Sequence, residues 1–287
     1  MRLGFTTWSM VTVRAEEAIP LLASIGYDSV EISVVPGWRD SVDLLTPTRR
    51  RRIKQLLCEY DIALAAIAGN TDLLADDPDE LAENWQILTS TIDLAVEWAS
   101  HDGPPAVDTY VGGEAGQWEQ KRELVIDRLG RLCDYAAARG VRVALQPHMD
   151  GALDTPDKVP GLVQALDRPN LGITLDINDF TVQGIAVEEV ANLLGRHLVL
   201  AQVKDERGRL PDYEFAVPGD GEFDYVRYLH ALQAAGYDGD VCVEISLRVQ
   251  RRPGFDPTRA AIQSYRVLAA AFEAAGVPRA RSAVREH

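Results

Sequence analysis

LVLAQVKD, residues 198–205, is the stretch on which the fold turns. Extended, it puts Val199, Ala201 and Val203 on one face and Leu200, Gln202 and Lys204 on the other, because side chains alternate along a strand. The first face is apolar throughout, and the second changes from apolar to polar toward its C-terminal end. A (βα)8 barrel strand needs that grammar: its outward face lies beneath helices and its last inward residues line the mouth. The grammar recurs in VRVALQPH (141–148), with Val141, Val143 and Leu145 outward and Ala144, Gln146 and His148 inward. In LGITLD (171–176), Ile173 and Leu175 go outward, Thr174 and Asp176 inward; in DVCVEIS (240–246), Val241, Val243 and Ile245 go outward, Cys242, Glu244 and Ser246 inward.

Four earlier runs, RLGFTT (2–7), DSVEIS (28–33), IALAAIA (62–68) and PAVDTYV (105–111), bring the count to eight. Amphipathic stretches separate them, the alternation that implies βαβ units and a parallel sheet. Helix signals stand at Thr46 with Pro47, at Pro78 before a stretch to Ser100, and at Gly140 after LCDYAAAR. Further helices are expected to begin near Thr155, Val187 and Asp224, with a last one from Pro257 to Ala275. Dividing 287 residues by eight gives about 36 per unit, the size of a strand and helix with modest insertions. The expectation is one α/β domain, a (βα)8 TIM barrel over residues 1–278, followed by a frayed polar tail at 279–287.

Composition narrows the function. Forty-four acidic against twenty-nine basic residues leave a formal charge of −15, which repels phosphate backbones and anionic membranes. Nucleic acid and membrane are therefore not expected partners. Cys58, Cys133 and Cys242 are odd in number and far apart, which fits neither a disulfide framework nor a C-x-x-C metal knot. With no export signal or long apolar span, a cytoplasmic protein is expected. The RRRR run at 49–52 reads as a solvated helix face, Cys242 as a small buried hydrophobe, and GDGE (219–222) as a turn before a helix.

Gln146, Asp176, Gln202 and Glu244 end four successive strands on the inner face. Four oxygen donors at one height can hold a divalent cation. A hydrogen-bonded polar plug is the equal alternative.

The segments MRLGFTTWS, LLASIGYDSVEIS, GVRVALQPHMDG, NLGITLDIND, LAQVKDERG and VPGDGEFDYVRYLHALQAAGYDGDVCVEIS resemble the xylose isomerase-like TIM barrels known as sugar phosphate isomerases/epimerases. That resemblance implies a metal-dependent enzyme acting next to a carbonyl of a small sugar. Its metal would sit on a Glu, an Asp, a His and a Glu at the positions of Gln146, Asp176, Gln202 and Glu244, so two of four depart. LQPH stands for L-E-P-H, QVKD for H-x-K-D, and DIND for D-x-x-H, which puts Asp179 where a substrate-contacting His is common. An all-oxygen shell with two charges binds metal more weakly and favours manganese or magnesium over zinc. An amide at Gln146 cannot take a proton, which disfavours two-base epimerisation. One-base isomerisation is expected instead, with His148 the first choice of base and Glu244 and Lys204 as further catalytic candidates. Inosose dehydratases, 3-dehydroshikimate dehydratases and 3-ketoglycoside lyases make β-elimination the alternative, and a metal-free barrel serving as a binding protein or partner subunit is a third. Homo-oligomerisation is open. Candidate substrate contacts are Trp8, Glu31, Asn70, Thr109, Asp179 and Arg248.

Overall fold

The structure, a computed structural model, describes residues 1–280. Its strands are β1 (Arg2–Thr6), β2 (Ser29–Ser33), β3 (Ala63–Ala68), β4 (Ala106–Thr109), β5 (Val143–Leu145), β6 (Leu171–Asp176), β7 (Leu198–Val203), β8 (Asp205–Arg209), β9 (Asp212–Ala216) and β10 (Asp240–Val243). β1 to β7 and β10 close a parallel barrel, with β10 between β7 and β1. The helices are α1 (Ala15–Ile25), α2 (Pro47–Glu59), α3 (Pro78–Glu97), α4 (Trp118–Ala137), α5 (Lys158–Leu166), α6 (Asn178–Thr181), α7 (Val187–Leu194), α8 (Tyr225–Ala234), α9 (Leu247–Gln250) and α10 (Pro257–Ala275). Among the described residues, no helix is long and apolar enough to cross a membrane.

The helix starts follow their capping chemistry. Thr46, Asp77, Asp224 and Asp256 accept first-turn N–H groups, and Pro47, Pro78 and Pro257 stand where a missing N–H costs nothing. α5 begins at Lys158 rather than near Thr155, which keeps Pro160 within the first turn, where it breaks no helical hydrogen bond. Arg49 is not solvated as expected: its guanidinium binds Glu16 at 2.7 Å and also Asp40, tying α2 to α1 and the loop after β2. Of the expected tail, residues 281–287 lie outside the described residues. Arg279 is buried against Asp28 at 2.8 Å, and the Ala280 N–H donates to the Met1 carbonyl.

The antiparallel ribbon β8–β9 interrupts the strand–helix alternation immediately after β7. It is held at its root by Asp205, whose carboxylate accepts the N–H groups of Glu206, Gly219, Gly221 and Phe223 at 2.7–3.0 Å. A Cβ at Gly221 would run into that carboxylate. GDGE is thus the socket for the ribbon as well as the turn before α8.

Candidate active site

Register places the polar side chains. Asp176 pairs with Gln202 and Gln202 with Cys242, so these three share a level, and the Glu244 N–H bonded to the Val203 carbonyl lifts Glu244 to the level of Lys204. Cys242 belongs with Ala66 and Leu200 to a small apolar cluster that begins at this level inside the barrel. The expected inward set on β5, β6, β7 and after β10 therefore does meet at the mouth.

Two polar networks organise it. In the first, the Lys204 ammonium, only 3% exposed, contacts Asp176, Glu244 at 3.2 Å and Asp179 at 3.3 Å. Phe215 of the ribbon covers it, its ring centroid 5.1 Å from Nζ. His148 Nε2 lies 3.6 Å from the other Asp179 oxygen, while His148 Nδ1 faces the Asp150 N–H at 3.1 Å and so is the accepting nitrogen. In the second, Gln146 Nε2 donates to Gln202 Oε1 at 3.1 Å, and Gln202 Nε2 donates to Glu31 Oε2 at 2.8 Å.

The charges respond to this crowding. Burial, reinforced by Asp176, Asp179 and Glu31, pushes the Glu244 carboxyl up to about 7 against the pull of Lys204. Burial and Asp108 push Glu31 to about 8. Burial also raises Asp176, with Lys204 opposing it. Burial works against ionised Asp179 too, but Lys204 and His148 together hold it below the usual range. Three carboxylates raise Lys204 well above its ordinary value despite its burial.

The sequence pattern that defines the xylose isomerase-like TIM barrels matches residues 19–271. The chain belongs to that family. Among its relatives, this xylose isomerase-like barrel is 23% identical to an L-ribulose 3-epimerase of Methylomonas sp. (strain DH-1), over 83% of this chain and 79% of the epimerase. It is 28% identical to an inosose dehydratase of Geobacillus thermodenitrificans, over 44% of this chain and 47% of the dehydratase, so that match spans about half of each. In three dimensions it resembles the IOLI protein with a bound zinc atom, with a TM-score of 0.77 at 19% identity, over 96% of this chain and 99% of the other.

Within this xylose isomerase-like barrel, Gln146, Asp176, Gln202 and Glu244 do not aim their oxygens at a common point. The two amides are bonded to each other, and the Lys204 ammonium stands between the two carboxylates. Among the described residues, no group of three or more His, Cys, Asp or Glu side chains is gathered to hold a metal. As disposed, the quartet does not fit a metal ion.

Of the other candidates, Glu31 and Asp179 lie in the networks. Trp8 stacks on Trp38 with centroids 4.4 Å apart, which makes it part of a packed wall. Arg248, on the rim, donates to Tyr213 Oη at 2.5 Å and faces Asp150 at 3.3 Å. Asn70 follows β3 with its side-chain oxygen buried and unpartnered. Thr109 is a correction: it pairs with outward-facing Leu145, and its hydroxyl donates to the Tyr110 carbonyl, so it turns away from the interior.

The inward residue of β4 is instead its neighbour Asp108, which sequence reasoning missed. Burial raises its carboxyl to about 7, with Glu244 and Asp176 adding to the rise. Glu206 was also missed: at the ribbon root it accepts from Asn178 and Thr181 at 2.8 Å, and burial pushes it to about 7. Asp108 had a signal, since it stands one residue from the chosen Thr109 in a run where only one of them can face inward.

Proposed function

We propose that this chain is an enzyme that removes a proton from the carbon beside a carbonyl of a small polyhydroxylated substrate, using one base. The observation that carries this reading is Glu244. It is 12% exposed at the mouth, is poised near neutrality, and lies 3.2 Å from the buried Lys204 ammonium. A base near pH 7 beside a fixed cation suits a step in which a proton leaves carbon and negative charge gathers on oxygen. Glu244 takes the proton. The Nε2–H of His148 stands as donor to an enediolate oxygen, and Lys204, its N–H groups held by Asp176, Asp179 and Glu244, supplies the positive field beneath it.

His148 changes role relative to the sequence-based preference. Its Nδ1 lone pair is engaged by the Asp150 N–H, so its other nitrogen carries the proton and acts as a donor. Gln146 offers no second acid, so the proton returns from the same side. Its return to the former carbonyl carbon, with the proton of the adjacent hydroxyl passing to the former carbonyl oxygen, gives an isomer; its delivery from Glu244 to a departing β-hydroxyl gives water and a dehydration product. The likeness to an L-ribulose 3-epimerase and an inosose dehydratase supports this chemistry. The zinc in the IOLI structure supports a divalent cation in this barrel, and an all-oxygen interior favours manganese or magnesium. No step above is drawn through a metal.

The test is solvent exchange. Ketoses and inososes incubated with the protein in deuterium oxide are expected to gain deuterium next to the carbonyl, and Glu244→Gln is expected to slow that exchange roughly 10²- to 10⁴-fold. Product mass separates an isomer from a dehydration product. Full exchange in Glu244→Gln removes Glu244 as the base, and no exchange with any of these substrates returns the barrel to the binding-protein class.

A further inference from the structure

Two exposed features on the mouth side of the barrel take no part in the proposed reaction. The first is the tip of the β8–β9 ribbon, Arg209, Leu210, Pro211 and Asp212, all four of them exposed. The tip is nonetheless fixed, because the Leu210 N–H donates to the Val182 carbonyl at 2.8 Å. Arg207 and Glu214 pair with each other, whereas Arg209 and Asp212 have no ion-pair partner among the described residues. The second feature is a groove of about 940 Å³ between the loop after β2 and the first half of α3. Val42, Leu44 and Ile87 give it an apolar bed, and the exposed Glu83, Asp43 and Arg39 charge its edges, again without ion-pair partners among the described residues. Leu210, 50% exposed on the tip, and Leu44, 52% exposed in the groove, are two of the four large apolar side chains left so open among the described residues. An apolar knob and an apolar groove, each rimmed by charge, are surfaces of the kind that partners cover.

Their positions relate them. The ribbon leaves the C-terminal end of β7, and the groove is built from segments that leave the C-terminal ends of β2 and β3. Around the closed ring of eight strands β2 is three places from β7 and β3 is four, so knob and groove stand on opposite sides of the mouth. The ribbon, pinned at Val182, cannot reach the groove of its own chain. A two-fold axis across the mouth, perpendicular to the line joining the two features, exchanges those sides and sets each tip over the groove of a second copy in one operation.

We infer that this chain pairs with a second copy of itself mouth to mouth, Leu210 of each protomer seated on Leu44 and Ile87 of the other. Arg209 then meets the acids Glu83 and Asp43, and Asp212 meets Arg39, so the charges at the rim match as well as the apolar centres. A tip that is already held loses little freedom on docking. The contacts are small and each copy carries a formal charge of −15, which makes the pairing weak, with a Kd on the order of 1–100 µM. The partner grips the end of the ribbon whose Phe215 covers Lys204, so pairing steadies that cover. This pairing stands independently of the assignment of Glu244 as base.

Sedimentation velocity of the full chain at about 0.15 M salt, where charges farther apart than about 8 Å are screened, is expected to show a monomer–dimer equilibrium up to about 200 µM protein. Leu210→Asp and Leu44→Asp are each expected to raise the Kd at least tenfold with an unchanged circular dichroism spectrum, since both side chains are half exposed in the single chain. The handedness of the contact is read by cysteines in a Cys58→Ser background, which removes the exposed native thiol. Mixing Leu210→Cys protein with Leu44→Cys protein under mild oxidation is expected to give a disulfide-linked dimer, and neither variant alone is expected to do so. A monomer throughout the concentration range, a dimer indifferent to both aspartates, cross-linking of Leu210→Cys with itself, or growth into longer assemblies each overturns the pairing.

Discussion

Lys204→Met retains a long unbranched side chain and removes the ammonium, leaving Asp176, Asp179 and Glu244 facing one another with no countercharge between them. Asp176 and Asp179 are essentially unexposed, so water cannot replace the lost cation. Removing one partner of a buried ion pair costs about 3–5 kcal/mol, and three carboxylates share this one. The loss depends on pH in a fixed direction. Without Lys204 the native carboxyl pKa values rise above their unfolded values, so the native state binds more protons than the unfolded state. Stability then falls as pH rises through the native values. Glu244 is already at about 7 with Lys204 present, which puts the window at neutral pH and above. Urea unfolding followed by far-ultraviolet circular dichroism at pH 8.5 and pH 5.5 measures both effects. The variant is expected to lose at least ~3 kcal/mol at the higher pH and less than half of that at the lower. A loss under ~1 kcal/mol at pH 8.5, or equal losses at both values, would refute the assignment of Lys204 as the buried countercharge.

Three further outcomes follow from the geometry. Glu206, raised to about 7 by burial, withholds stability as pH climbs through that value, so Glu206→Gln is expected to match the parent near pH 5 and exceed it by ~1–2 kcal/mol at pH 8.5, read from paired urea melts. Asp205→Ala leaves four backbone N–H groups without their acceptor and is expected to cost ~2–3 kcal/mol, with hydrogen exchange accelerated at Gly219, Gly221 and Phe223; unchanged exchange there would detach the ribbon from its socket. Thr109→Val removes a hydroxyl that faces outward and is expected to leave substrate deuterium exchange unaltered, so a tenfold drop would put Thr109 back inside the barrel.

Most of the barrel strands were legible because an apolar outward face recurs with period two, and a one-residue slip would bury the polar set beneath helices; β3 is the irregular one, a register shift setting Leu64 and Ile67 three residues apart. The helices were legible from Thr46, Asp224 and the first-turn prolines. The ribbon was not: DERGRLPDYEFA is largely exposed, and its pairing depends on the Asp205 clasp rather than on a hydrophobic face. In PAVDTYV two adjacent polar residues allow either register, and burial of Val107 beneath the helices decides for Asp108 over Thr109. Which partner each inward polar group takes was not legible either. Gln202 had its strand face from the alternation, but its choice of Gln146 and Glu31 depends on rotamers, as does the gathering of Asp176, Asp179 and Glu244 around Lys204.

The ribbon has a mechanical side. Five residues of extended chain make an arm of about 17 Å. Its near end is the peptide joining Lys204 to Asp205, and Phe215 rests over the ammonium while Tyr213 reaches the rim at Arg248. The arm is pinned at both ends: Asp205 and Glu206 anchor its root, while at the tip the Leu210 N–H donates to the Val182 carbonyl, and Arg252 holds the Phe215 carbonyl. Fixed in this way, the arm braces Phe215 against the Lys204 ammonium. A shorter arm would lose the tip tether and the aromatic cover over Lys204 together, so the length of the ribbon and the setting of the buried charge are linked.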